Sequence, residues 1–243
     1  MSIDSWFAAP AAALLCGLLA LAPLGQQVLQ RGVVFIDLAV AQAAAAAALW
    51  VAALVDHPSW WVTQALAAAG ALVCAGAVAG LARRWPAQRE ALIGLLYVAG
   101  ASAALLGARQ DPHGRERLAD LLAADLLWAG WPQVALLATC AAAVLLTRRW
   151  LHRNTFFYGS FAVVASLAVP VLGLFVVFAA LIVPALWHRA GLSARAAGLV
   201  TALGAASGLA LSWAWDAPSG ACVALALAAT GVAAAARRPD GHG

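Results

Sequence analysis

Long apolar stretches follow one another along almost the whole of this 243-residue chain, separated only by short polar breaks. Each stretch is close to the 20 residues that cross the roughly 30 Å hydrocarbon core of a bilayer. Unpaired backbone groups are not tolerated in lipid, so the spanning elements must be helices or the strands of a closed barrel. The runs 43–48 and 171–183 do not alternate polar and apolar residues, as barrel strands would. The sequence therefore predicts an all-α, polytopic membrane helix bundle.

The polar breaks divide the chain into nine predicted spans, within a single transmembrane domain over residues 1–243. The stretch 155–188 decides between eight spans and nine, because it is long for one crossing and short for two. We expect two short helices, broken near Pro170 and Gly173. A further segment, 118–128, has helical character but is too short to span, which suits a re-entrant or surface-lying helix. The predicted spans are 6–29, 33–55, 60–82, 90–108, 131–147, 155–169, 172–187, 196–214 and 218–236.

The placement of the arginines predicts the topology. With the N-terminus outside and every span crossing, eleven of the fourteen basic residues, all of them arginine, fall in inside loops. The other three share one outer loop with several acidic residues. Because basic residues accumulate on the cytoplasmic side, we expect the N-terminus outside and the C-terminus inside, in a bacterial cytoplasmic (inner) membrane.

Several function classes are disfavoured by what the sequence lacks. It contains no His-Glu-x-x-His, no Gly-x-Ser-x-Gly and no phosphate-binding Gly-x-x-x-x-Gly-Lys motif. We therefore expect no enzyme, no permanently bound cofactor and no nucleotide hydrolysis by this chain itself. The scattered arginines do not resemble a nucleic-acid footprint.

Polar residues at membrane depth are the candidates for function. Asp37 lies about six residues inside the second span, where a carboxylate is costly unless it meets a partner or a water-filled path. Two interpretations are open: an ion pair with Arg31 near the helix start, or a place on a cation pathway, which we favour. Gln42, further in, is equally consistent with a hydrogen bond between helices and with a pathway role.

The outer loop after the fourth span groups carboxylates with one imidazole. Asp111, His113 and Asp120 carry donor atoms that suit zinc or manganese. Three interleaved arginines favour the other interpretation, a solvated loop with internal ion pairs. Asp125 falls in an otherwise apolar segment, and we expect it to lie within a helix and to face a pore.

Five stretches resemble, in the right order, the permeases of the zinc/manganese (metal-chelate) ABC-transporter family. The second span begins as theirs does, with Arg-x-x-x-Phe-x-Asp at Arg31, Phe35 and Asp37. Together the stretches cover nearly the whole chain. The other four are Arg84-Trp85-Pro86 with 90–94, Asp111-Pro112-His113-Gly114 leading to Asp125-Leu126-Leu127, Phe157-Tyr158 with 171–185, and Asp216-x-Pro218-Ser219-Gly220.

This resemblance implies the permease subunit of an ATP-driven importer of zinc, manganese or a similar divalent ion. It implies a permease homodimer, a separate cytoplasmic ATPase and an external or periplasmic metal-binding protein. It also implies that Asp37 lines the ion path, with Gln42 and Asp125 as further candidates along it.

Two departures from the family pattern matter. The family often places His one helical turn after the pathway Asp, where this chain has Ala41. The inside segment 148–154 is too short for the family's ATPase-docking helix. We therefore expect docking to use the loop with Arg83, Arg84 and Arg89, in preference to Arg148 and Arg149.

Two other functions remain open from the sequence. The chain could be a secondary, ion-coupled transporter that works without an ATPase, or a non-transporting membrane assembly or anchoring subunit.

Overall fold

A computed structural model describes residues 3–55 and 58–237, with side chains from residue 7 onward. This part of the chain contains ten α-helices, no strand, and three 3-10 helices at Pro86–Gln88, Leu126–Trp128 and Arg148–Trp150. The α-helices are α1 (Ile3–Arg31), α2 (Ile36–Leu54), α3 (Trp60–Arg84), α4 (Arg89–Ala108), α5 (Gly114–Leu122), α6 (Trp131–Thr147), α7 (Asn154–Leu172), α8 (Leu174–Arg189), α9 (Ala194–Trp215) and α10 (Ser219–Ala236).

Nine of these helices coincide with the nine predicted spans, and the bounds differ by three residues at most. Within the described residues, eight are long and apolar enough to cross a membrane. The ninth, α8, is apolar but has only 16 residues. The all-α, polytopic bundle is therefore confirmed.

The predicted break in the stretch 155–188 is present. Gly173 separates α7 from α8 and has a φ of +79°, a conformation that residues with a Cβ rarely adopt. A Cβ at this position would also overlap the backbone of Ala123 and Ala124. The break therefore requires glycine at position 173 for two reasons, its backbone conformation and the close approach of another segment.

Successive spans run in opposite directions, so that the predicted inside loops meet at one end of the bundle. The Arg189 side chain donates to the Leu29 carbonyl at 2.9 Å, which joins the ends of α8 and α1. The backbone N–H of Val34 donates to the Glu90 carboxylate at 3.0 Å, which joins the starts of α2 and α4. We call this end, where the inside arginines of the described residues lie, the arginine-rich end. This alternation agrees with nine successive crossings, whereas the side of the membrane on which each end lies stays a prediction. Arg238, one of the predicted inside arginines, lies outside the described residues.

Small residues allow the close approach of helices inside the bundle. A Cβ on Gly25 of α1 would overlap the backbone carbonyl of Leu181 in α8. Gly204 and Gly208 of α9 pack in the same way against α10. A Cβ added to Gly76 or Gly80 in α3 would meet no other atom of the described residues within 4 Å, so this similar pair makes no close helix contact there.

The short segment near 118–128 differs from its prediction. Its helix α5 begins earlier, at Gly114, and ends at Leu122, and residues 123–125 interrupt it before the 3-10 helix. Asp125 therefore lies in this interruption, and the expectation that it lies within a helix is wrong. The cause is the backbone around Ala124, which packs tightly against Gly173 and Gly220 and cannot continue the surface helix into that space.

Candidate functional site

Asp37 lies in the first turn of α2 and is almost completely buried, with 1% of its surface exposed. Neither carboxylate oxygen has a hydrogen-bond partner of acceptable geometry. The backbone N–H groups of Asp37 and Leu38 are near enough only to act on it electrostatically. A buried carboxylate without a partner must be neutralised by a proton or by a cation.

Arg31 is not that cation, because other groups hold its guanidinium. It donates to the carbonyl oxygens of Leu151 at 2.9 Å and His152 at 3.0 Å, and to the Asn154 side chain at 3.2 Å. The same group lies 4.4 Å from the centre of the Phe157 ring. In the described part of the chain the one ion pair joins Arg117 to Asp111. The structure therefore does not contain the Arg31–Asp37 pair, and Arg31 instead fastens the loop before α7 to the end of α1.

A cavity of about 610 Å³, the alanine cavity, lies on the side of Asp37 away from the arginine-rich end. Ala41, which lines it, is one helical turn after Asp37 on the same face of α2. The exposed side chains of Arg117 and Asp120 of α5 form part of its outer wall. Its lining also includes Ala44, Ala45, Ala48, Leu49, Ala52, Pro58, Trp60, Thr63, Gln64, Ala67, Leu121, Ser166, Val169 and Pro170.

A smaller cavity of about 220 Å³, the arginine cavity, lies at the arginine-rich end. Val33, four residues before Asp37, is part of its wall. Its charged lining residues are Arg31, Arg83 and Arg89, and the rest are Gln30, Val33, Ala79, Ala82, Asn154 and Tyr158. Asp37 itself lines neither cavity, but its neighbours in sequence do: Ala41 is part of the wall of the neutral, mainly apolar cavity, and Val33 is part of the wall of the positively charged one.

The other pathway candidates lie elsewhere. Gln42 is 5% exposed and its Cβ faces Gly100 of α4, and it lines neither cavity. Asp125 is exposed at the opposite end, where its carboxylate accepts a hydrogen bond from the Ser219 hydroxyl at 2.7 Å. The structure thus does not bring Asp37, Gln42 and Asp125 together around one cavity.

The outer loop has the contacts of an internally paired turn. The Asp111 carboxylate accepts from the His113 backbone N–H at 3.0 Å and pairs with Arg117 at 2.7 Å. The residues 3–55 and 58–237 contain no group of three His, Cys, Asp or Glu side chains placed to hold a metal ion. Metal binding by Asp111 would have to replace its ion pair with Arg117.

The predicted docking arginines all lie at the arginine-rich end. The guanidinium of Arg84 lies over the Trp85 ring at 5.5 Å, and that of Arg149 over the Trp150 ring at 4.9 Å. The segment between α6 and α7 forms only the 3-10 helix Arg148–Trp150, as its length predicts.

Sequence reasoning missed the polar residues of the cavity walls. Thr63, Gln64 and Ser166 line the alanine cavity, and Tyr158 lines the arginine cavity. All four lie in predicted spans, so the rule that selected Asp37 and Gln42, polarity at membrane depth, could also have selected them.

The arrangement of helices can be compared with those of solved structures. The chain superposes on "PsaBC from Streptococcus pneumoniae in complex with Fab" with a TM-score of 0.69 and 15% sequence identity, over 93% of this chain and 89% of that one. The chain has the fold of PsaBC. Comparisons of the sequence with protein-family models and with curated proteins give no match. The structure thus confirms the fold that the sequence resemblance implies. At 15% sequence identity this match shows the fold and nothing beyond it.

Proposed function

We propose that this chain is the permease subunit of an ATP-driven importer of divalent metal ions, zinc or manganese, and that Asp37 lies on the ion path. The observation that carries the proposal is the buried carboxylate of Asp37, which has no hydrogen-bond partner and lies one helical turn before Ala41 in the wall of the alanine cavity. A cation in transit supplies the charge that no side chain supplies there. The fold agrees with the same function, because the chain superposes on PsaBC over 93% of its length and its sequence resembles the metal-chelate ABC permeases.

The surroundings of Asp37 support a site that holds the ion loosely. Ala41 stands where the related permeases often have His, so the carboxylate has no imidazole one turn away. The hydroxyl and amide groups of Thr63, Gln64 and Ser166 offer only neutral oxygen contacts in the alanine cavity. An ion that keeps much of its water shell fits such a wall, and weak binding also lets a transported ion leave.

The proposed partners follow from the same function. A separate cytoplasmic ATPase supplies energy, an external binding protein delivers the ion, and a second copy of the chain completes the path. The arginine-rich end is the cytoplasmic end in this proposal, as the distribution of basic residues favours. The loop 148–153, fastened to α1 by Arg31, and the loop around Arg83–Arg89 are then the surfaces available to the ATPase.

Uptake of radioactive manganese or zinc by cells tests this function. The comparison is between cells with the chain, cells without it, and cells in which the phosphate-loop lysine of the partner ATPase is replaced. We expect uptake to fall to background in the last two. Uptake that persists without ATP hydrolysis would instead support the secondary transporter, and uptake that is normal without the chain would support the assembly subunit.

A further inference from the structure

The arginine cavity contains three positive charges and no carboxylate in its wall. Arg31, Arg83 and Arg89 come from three different helices, the end of α1, the end of α3 and the start of α4. All three line the same small cavity, together with Tyr158 of α7. No described residue forms an ion pair with any of them.

The neutral groups around these arginines do not balance their charge. Arg31 donates to carbonyl and amide oxygens, and Arg83 donates to the Ala79 carbonyl at 3.2 Å. Glu90, the nearest acidic residue in sequence, uses one oxygen to accept the Val34 N–H and is not part of the cavity wall. The N-terminus of α7, at Asn154, adds the positive end of a helix dipole.

We infer that the arginine cavity binds a phosphate-type oxyanion, most simply the headgroup phosphate of an anionic phospholipid. Arginine forks match phosphate oxygens in geometry and charge, and basic pockets between membrane helices on the cytoplasmic side bind lipid headgroups. The volume of about 220 Å³ lies below the roughly 300–1,000 Å³ of pockets for drug-sized ligands. It therefore suits a phosphate group better than a whole nucleotide.

Such an anion has a consequence for the neighbouring ion path. A cation that leaves Asp37 toward the arginine-rich end must pass a wall with three guanidinium groups, which repel it. An oxyanion in the cavity lowers this positive potential. If Asp37 lies on the proposed ion path, the bound anion therefore favours passage of the cation on this side of it.

The test measures anion binding by the purified full-length chain, without an ATPase and without transport. The chain is titrated in neutral detergent with short-chain phosphatidylglycerol, with phosphatidylcholine, and separately with inorganic phosphate by equilibrium dialysis. The variant Arg83→Gln/Arg89→Gln removes two of the three charges and keeps Arg31, which holds the loop before α7. The matched control Arg195→Gln/Arg237→Gln removes the same charge at the same end, away from the cavity.

We expect phosphatidylglycerol to bind saturably and phosphatidylcholine not to. The cavity variant should weaken binding by about 30-fold, the factor expected for two basic residues at a membrane surface, and the control variant should not. Binding of inorganic phosphate that is weakened in the same way by the replacement of Arg83 and Arg89 would also support the site, with soluble phosphate as its ligand. Tyr158→Phe removes one hydroxyl from the cavity wall and leaves every charge in place. We expect it to weaken binding by a smaller factor than the double arginine replacement does.

Two results would overturn the inference. One is the absence of binding of both phosphatidylglycerol and phosphate to the wild-type chain. The other is an equal loss in the cavity and control variants, which would show attraction by the whole basic end and not a site. Because no step of the test depends on metal transport, its outcome is independent of the proposed function.

Discussion

The two cavities beside Asp37 differ in size, charge and the elements that build them. The alanine cavity is nearly three times larger, and its wall is mainly methyl groups with a few neutral polar atoms and one opposite-charge pair of residues, Arg117 and Asp120. The arginine cavity is small and carries three like charges. The first offers a cation space without strong attraction or repulsion, whereas the second repels it. Any electrostatic barrier to a cation on the proposed path therefore lies on the arginine-rich side of Asp37.

Arg31 connects this barrier to the rest of the molecule. Its guanidinium is part of the arginine cavity and also holds the carbonyls of Leu151 and His152. A displacement of the loop 148–153 must therefore move one of the three charges of the arginine cavity, which adjoins the proposed ion path. This physical link joins a surface loop at the arginine-rich end to the cavity behind Asp37.

Filling the alanine cavity is the change for which we expect the largest effect on metal uptake. Ala48→Trp places an indole in the cavity, and we expect metal uptake to fall close to background because the ion can no longer approach Asp37. Ala69→Trp is the control, since Ala69 is exposed on α3 and lines neither cavity. Uptake is measured relative to the amount of protein in the membrane. If Ala48→Trp transports normally, the cation does not use this cavity.

Adding a ligand to the neutral cavity should have an intermediate effect. Ala41→His introduces an imidazole one helical turn from Asp37, on the face that lines the alanine cavity. Imidazole binds zinc well, so we expect the zinc concentration for half-maximal uptake to fall by about tenfold, equivalent to about 1.4 kcal/mol. Gln42→His, which faces α4, should leave it unchanged. An equal effect of both variants would mean that Ala41 does not face the ion.

The smallest expected effect concerns the outside of the arginine-rich end. Charge reversal to Glu at Arg83, Arg84 and Arg89 should weaken the complex with the ATPase by roughly threefold, because exposed ion pairs each contribute little. It should weaken the complex more than reversal at Arg148 and Arg149 does, because the segment 148–154 is short. The amount of ATPase that co-purifies with each variant measures the difference. A further comparison, of the double reversal at Arg83 and Arg84 with that at Arg148 and Arg149, changes the same number of charges in both variants. The reverse ranking would show that the short loop still docks.

The helices could be predicted from the sequence because their signals are local. The length of each apolar stretch predicts a span, and polar loops or a glycine such as Gly173 predict where the span ends, to within three residues. The segment around Asp125 could not be predicted in the same way. Its interruption depends on the close packing of Ala124 against Gly173 and Gly220, which are distant in sequence.

The site could be predicted in part for the same reason. Burial of a carboxylate in an apolar span is a local signal, and it singled out Asp37. Besides Gln27 in the same helix, Arg31 donates to groups 120 or more positions away, and no sequence pattern encodes these distant partners. Gln42 was selected by the same signal but lines neither cavity, because polarity at membrane depth does not tell which face of α2 a residue occupies.

The replacement Asp37→Asn tests the central claim most directly. It removes the charge and keeps the size of the side chain, so the protein should insert in normal amounts. Asp216→Asn is the matched control, since Asp216 is exposed at the end of α9 with a positive φ that Asn also adopts. The measurement is uptake of radioactive manganese and zinc in cells, relative to the amount of each variant in the membrane. We expect background uptake for Asp37→Asn and normal uptake for Asp216→Asn. Near-normal uptake for Asp37→Asn would contradict a place for Asp37 on the ion path.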